Sequence, residues 1–272
     1  MRLGIIGCGN MGEAILRGIL AKKLVAPKTI ICSDKNKEKL KQLSTRYAVT
    51  TTESNSKLAE NCDVLLIAVK PQDIDTVLQD IKLSNPPSLL KNKLIISICA
   101  GIKTAQLEKS LDKVSVIRAM PNMGAQISQA ISALSPGKYA AEENKKTARD
   151  IFSCIGEVVE LKEELLDAVT AVSGSGPAYF FYLAENLIRA AEELGIPLPI
   201  ARKLAVQTAI GSAGLMEHSG KDPQTLRKEV TSPGGTTEAA FNVFNKYKLD
   251  KILDSGVKAA AARAKQLSRG GV

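Results

Sequence analysis

Two short stretches of this sequence carry residue types and spacings that could do chemistry. The first is Gly7-Cys8-Gly9-Asn10-Met11-Gly12, whose glycines recur as G-x-G-x-x-G just after the apolar residues Leu3, Ile5 and Ile6. In that pattern the first glycine permits a tight turn, the second lets backbone approach a pyrophosphate, and the third lets helix and strand pack closely. A helix starting there points unpaired N–H groups and its positive dipole end at the phosphates. The expected ligand is a dinucleotide. The second stretch is Ser232-Pro233-Gly234-Gly235-Thr236-Thr237, a tight turn feeding a helix. Its N–H groups and hydroxyls suit an anion such as a carboxylate. A helix simply capped by threonine accounts for the same residues.

What the chain lacks narrows the chemistry further. His218 is its only histidine and lies outside both stretches. No Asp/His or Cys/His pair stands near either, so histidine acid–base catalysis is not expected, nor is a metal. Five cysteines without CxxC spacing (8, 32, 62, 99 and 154) read as free buried thiols of a reducing compartment. A formal charge of +9 would suit nucleic acid, but the basic residues are interleaved with acids, and aromatics make up only 4%. No nucleic-acid partner is expected. The apolar runs are too short to span a bilayer, and the first residues lack a signal-peptide pattern, so the chain reads as cytoplasmic.

These stretches need elements to hold them. Up to residue 162, strand-like runs (Leu3–Ile6, Thr29–Cys32, Asp63–Val69, Leu94–Cys99, Val114–Met120, Ile131–Leu134, Glu157–Leu161) mix with helical ones (Asp73–Ile81, Thr104–Leu111, Glu142–Cys154). Alternation of this kind predicts an α/β Rossmann domain with a doubly wound, mostly parallel sheet over 1–162. Ligand should then lie at the carboxyl ends of the strands. The residues there are Gly7–Gly12, Ser33–Lys35, Ala68-Val69-Lys70-Pro71, Cys99–Gly101 and Met120–Asn122. At the end of the second strand, Ser33 takes the slot where NAD sites usually place a carboxylate, with Asp34, which would favour NADH, just beyond and Lys35 and Lys37 following. The hydroxyl and ammonium groups suit a 2′-phosphate, so NADPH is expected as the cofactor, with NADH as second choice. Residues 163–272 predict only helices: Pro177–Leu194, Pro199–Glu217, Pro223–Val230, Thr236–Tyr247 and Lys248–Ser268. The first two are apolar on more than one stripe, which calls for burial on several sides and hence for a homodimer.

Six motifs in order, GCGNMG, AVKP (68–71), SICAG (97–101), RAMPN (118–122), DAVTAVSGSGPAY (167–179) and VTSPGGTTEAA (230–240), make the chain resemble the pyrroline-5-carboxylate reductases over nearly its whole length. The resemblance implies an oxidoreductase that reduces the cyclic imine pyrroline-5-carboxylate to proline with NAD(P)H, the last step of proline biosynthesis. It implies a Rossmann domain followed by an all-α dimerisation domain, with dimers often joined into larger rings. It assigns cofactor contacts to Gly7, Cys8, Gly9, Asn10, Met11, Ser33, Asn55, Val69, Lys70 and Ala100. Thr236 and Thr237 would meet the substrate, with Ser232, Gly234 and Gly235 shaping its carboxylate pocket and Thr237 against the ring nitrogen. Glu229 and Gly220 depart from the residues common there. Another imine reductase or a β-hydroxyacid-type reductase is the alternative; the catalytic lysine motif of the latter is not found. A cyclic imine can take its proton from water, which fits a site built for positioning and electrostatics.

Overall fold

The structure, a computed structural model, describes residues 1–83 and 85–268. The first elements are β1 (Leu3–Ile6), α1 (Asn10–Ala21), β2 (Ile30–Ser33), α2 (Lys37–Tyr47), β3 (Thr50–Thr52), α3 (Asn55–Asn61) and β4 (Val64–Ile67). Then come α4 (Ile74–Leu83), α5 (Pro87–Leu90), β5 (Leu94–Ser97), α6 (Thr104–Ser110), β6 (Ser115–Met120), β7 (Ala130–Pro136), α7 (Glu142–Ser153) and β8 (Gly156–Glu160). The rest is helical: α8 (Leu166–Val169), a π turn over Thr170–Gly174, α9 (Gly176–Glu193), α10 (Leu198–His218), α11 (Pro223–Glu229), α12 (Thr236–Lys246) and α13 (Leu249–Leu267).

The strands form one sheet in the order β3-β2-β1-β4-β5-β6-β7-β8. Every pair is parallel except β6 with β7. That exception follows from the short link between them: nine residues with one 3-10 turn cannot make the crossover a parallel strand needs. The doubly wound, mostly parallel sheet expected from the alternation is therefore present. Its central strands β1, β4 and β5 are buried along their whole length, which is why they read as unbroken apolar runs. The threonine edge strand β3 was not expected. Its residues are only half-buried or exposed, so it has no apolar signature.

The chain forms two compact units. One comprises Met1–Ser175 and, among the described residues, 260–268; the other is Gly176–Ala259. Helical character starts in sequence at Glu163, but Glu163–Ser175 is held by the sheet unit. Buried Arg118 on β6 explains this, since its guanidinium pairs with Glu163 (3.5 Å) and Asp167 (3.7 Å). Glu163 also accepts from the N–H and hydroxyl of Thr104, both at 2.8 Å. The end of α13 belongs here as well: Ser268 Oγ donates to Asp167 Oδ1 at 2.7 Å. A Cβ on Gly101 would stand 2.9 Å from the Leu267 backbone. In the second unit α9 and α10 pack together, yet α12 has no buried residue.

Candidate functional site

A cleft of about 450 Å³ opens at the carboxyl ends of β1 and β4, where the strand order reverses. Gly7, with φ of +90°, ends β1, and a Cβ there would stand 2.8 Å from the carbonyl of Ala68. A Cβ on Gly12 would overlap the carbonyl oxygen of Gly7. Gly9 differs from both: a Cβ there would meet nothing within 4 Å and would project into open space. The first helical bond of α1 runs from Glu13 N to Gly9 O, so the N–H groups of Asn10, Met11 and Gly12 precede the ladder. Two glycines thus shape the loop, and the third leaves room for a ligand's pyrophosphate. The loop fits a dinucleotide.

At the end of β2, Asp34 ties this loop down. Its carboxylate accepts from Cys8 N–H at 2.7 Å and Asn36 N–H at 2.9 Å. Buried Ser33 donates to Asn55 Oδ1 at 2.6 Å, and Asn55 Nδ2 donates to Asp80 Oδ2 at 3.1 Å. Lys35 pairs with Asp73 at 3.4 Å and Lys37 with Glu53 at 3.1 Å, both lysines well exposed.

Of the residues singled out in the sequence, Gly7, Gly9, Ser33, Lys35, Asn55, Ala68, Val69 and Lys70 line the cleft. Asn10 and Met11 open α1, and Pro71 opens the 3-10 turn Pro71–Asp73. Half-buried Ala100 lies in the turn beyond β5. The Cys8 side chain points into the core, where its hydrogen bond with Cys32, and then burial, push its thiol far up. All five cysteines are free and buried. Sequence reasoning missed the clamp by Asp34 and any part for Asp80. The first left a trace, since Asp34-Lys-Asn36 after a strand is an Asx-turn pattern. Asp80 left none, because one carboxylate on an amphipathic helix looks like any solvated face.

In the second unit, Ser232–Thr237 forms the expected turn. Gly235 N–H donates to Ser232 O at 3.0 Å, and Gly234 has φ of +71°. The N-cap of α12 is Gly235, not a threonine, and no side chain caps it. Thr236 and Thr237 stand in the first turn, ahead of the first helical bond from Ala239 N to Gly235 O. The carboxylate of Glu238 accepts from Gly234 N–H at 2.7 Å. Thr237 is half-buried; Ser232, Gly234 and Thr236 are exposed. His218 ends α10, with its Nδ1 2.8 Å from Gly214 O.

A Rossmann sheet with an open second glycine and a clamped loop at its switch point defines the class: a nicotinamide-dinucleotide oxidoreductase. Residues 2–101 match the family model for NADP oxidoreductase, coenzyme F420-dependent, and residues 163–267 match that for pyrroline-5-carboxylate reductase dimerisation. The chain is 38% identical to the pyrroline-5-carboxylate reductase of Synechocystis, over 99% of each chain. A solved pyrroline-5-carboxylate reductase from Coxiella burnetii superposes with a TM-score of 0.90 at 34% identity, over 98% of each chain. The Plasmodium falciparum pyrroline carboxylate reductase solved with NADP bound gives 0.88 at 29% identity, also over 98% of each. The chain belongs to the pyrroline-5-carboxylate reductase family.

Proposed function

We propose that this protein reduces pyrroline-5-carboxylate to proline with NADPH, the sheet unit holding the cofactor and the Ser232–Thr237 loop holding the substrate. Family membership over the whole chain carries this reading. NADPH, when bound, would supply a hydride to the imine carbon; the protein's own residues bind and orient the reactants. Gly7, Gly9 and the first N–H groups of α1, from Asn10 and Met11, take the pyrophosphate, with the Cys8 backbone held in place by Asp34. Ser33, Lys35 and Asn55 take the ribose end. Asp34 spends one acceptor site on each carboxylate oxygen holding backbone N–H groups, while the ammonium groups of Lys35 and Lys37 beside Ser33 suit a 2′-phosphate, so NADPH is preferred over NADH. Ala68, Val69, Lys70, Pro71 and Ala100 form the rim along which the rest of the cofactor lies.

In the loop, Thr236 and Thr237 present N–H groups and hydroxyls, while Ser232, Gly234 and Gly235 shape the turn around the substrate carboxylate. Thr237 sets the ring nitrogen with its hydroxyl. The imine takes its proton from water, so no acid–base side chain is required. Two copies pair through the helical unit, and a ring of such dimers is the larger assembly. Free buried thiols throughout suit the cytoplasm.

The substitution Thr237→Val tests the assignment, because it keeps the shape and removes only the oxygen. Losing one hydrogen bond to a charged group costs about 1.5–3 kcal/mol, or roughly a 10- to 150-fold fall in kcat/KM. The dimer and the NADPH affinity should not change. Since Thr237 makes no cap, the melting temperature should not change either. Near-normal turnover would remove Thr237 from the chemistry.

A further inference from the structure

The relay at the end of β2 has an outer member, Asp80, that the reading above leaves without a part. Ser33, Asn55 and Asp80 come from three elements (β2, α3 and α4) and all line the same cleft. Buried Ser33 Oγ and Asn55 Oδ1 are 2.6 Å apart, and Asn55 Nδ2 and Asp80 Oδ2 are 3.1 Å apart. A primary amide is two-faced: one end accepts, the other donates, and a half-turn exchanges them. Ser33 cannot decide which way Asn55 turns, because a hydroxyl gives or takes equally well. Asp80 can, because an ionised carboxylate only accepts. Opposite Asp80, the amide must turn Nδ2 outward and Oδ1 toward Ser33, which makes Ser33 the donor. The second N–H on Asn55 Nδ2 has no partner among the described residues and is left for a ligand in the cleft.

The geometry points to Asp80 as a positioning residue for the cofactor. It fixes the amide of Asn55 so that the cleft meets the phosphorylated ribose with a donor. The reversed amide would face a phosphate oxygen with its own carbonyl oxygen, which is repulsive. This inference rests on the assignment of Asn55 to the cofactor.

The alternative has the opposite sign. A carboxylate near a bound phosphate merely repels it, so removing the charge should tighten NADPH binding. Asp80→Asn separates the two, because asparagine keeps the size and loses the acceptor-only character. Steady-state kinetics should show KM for NADPH rising about two- to twelve-fold, the cost of turning the released amide back to its donor end, with kcat at saturating cofactor within about twofold. Asp80→Glu should restore most of the affinity. In an Asn55→Ala background, Asp80→Asn should add nothing, since its effect runs through the amide. A lowered or unchanged KM in Asp80→Asn overturns the proposal while Asn55→Ala still raises KM. An equal rise in both backgrounds also overturns it. If Asn55→Ala itself leaves KM for NADPH unchanged, the assignment of Asn55 falls, and the proposal with it. A thermal melt of each variant shows that the comparison is between folded proteins.

Discussion

The two units of this molecule bury themselves very differently. In the sheet unit, β1, β4 and β5 have no exposed residue, and helices cover the apolar faces. In the helical unit, Phe180, Phe181, Tyr182 and Leu183 on α9 are 56–68% exposed, and α10 and α12 add Ile200, Leu204, Ile210, Val243 and Phe244. A monomer rarely leaves that many large apolar side chains open to water. The sheet unit closes its core with its own chain, whereas the helical unit has apolar surface that a second copy must cover. The difference shows that the apolar pattern of a helix specifies how many faces are covered, and not by which chain.

The sharpest way to break this comparison is to charge the exposed face. Phe180→Glu with Leu187→Glu puts two carboxylates on one side of α9. Sedimentation should then show a monomer. Turnover should fall at least about a hundredfold, as a misplacement of about 1 Å at a reacting centre already does. NADPH binding by the sheet unit should persist. A dimer that survives both charges would place the pairing surface elsewhere.

Next in size is Arg118→Met, which tests whether Glu163 and Asp167 are held by the sheet unit. Removing one partner of a buried ion pair costs about 3–5 kcal/mol. Partial solvation of the two carboxylates puts the loss at the lower end, a fall in Tm of about 6–12 °C. A melt within about 1 °C of the parent would show that the cluster holds nothing.

Gly9→Ala sharpens the distinction inside the cleft. Its Cβ would enter open space, so stability should hold, while a methyl in the way of the pyrophosphate costs about 1–3 kcal/mol, roughly a 5- to 150-fold rise in Kd for NADPH. Calorimetric titration reads this directly; unchanged affinity would mean the phosphates pass elsewhere.

The smallest effect is in acid. Burial raises the carboxyl of Glu13, but hydrogen bonds from Lys39 and Tyr47, with the charges of Lys39 and Arg46, outweigh it and hold the carboxyl below its usual value. Its stabilisation is complete above the unfolded carboxyl pKa of about 4.3 and is lost as pH falls through the folded value. Glu13→Gln should therefore lower stability near neutrality by about 1 kcal/mol and flatten the acid limb of Tm against pH. A limb as steep as the parent's would assign it to other carboxylates.

Much of the sheet was legible because strands buried on both faces are continuous apolar runs, as in Val64–Ile67 and Leu94–Ser97. The glycine loop was legible because its spacing has a steric cause, now visible in Gly7 and Gly12. Edge strand β3 was not, because three threonines suit any half-exposed segment. The Ser33–Asn55–Asp80 relay was not, because it joins residues 22 and 25 apart that only the tertiary fold brings together. The hold of the sheet unit on Glu163 and Asp167 was not, because it depends on buried Arg118, and ion-pair partners are chosen by the fold rather than by local pattern.

The return of α13 to the sheet unit bears on how the protein is made. Ser268 reaches Asp167 across 101 residues, so the sheet unit lacks its last piece while the intervening helices leave the ribosome. At roughly 10 residues per second, that interval is about 10 s. During it the exposed aromatic residues of α9 have already emerged, and the Gly101 turn waits uncovered. Chaperone dependence of the nascent chain should therefore concentrate in that interval.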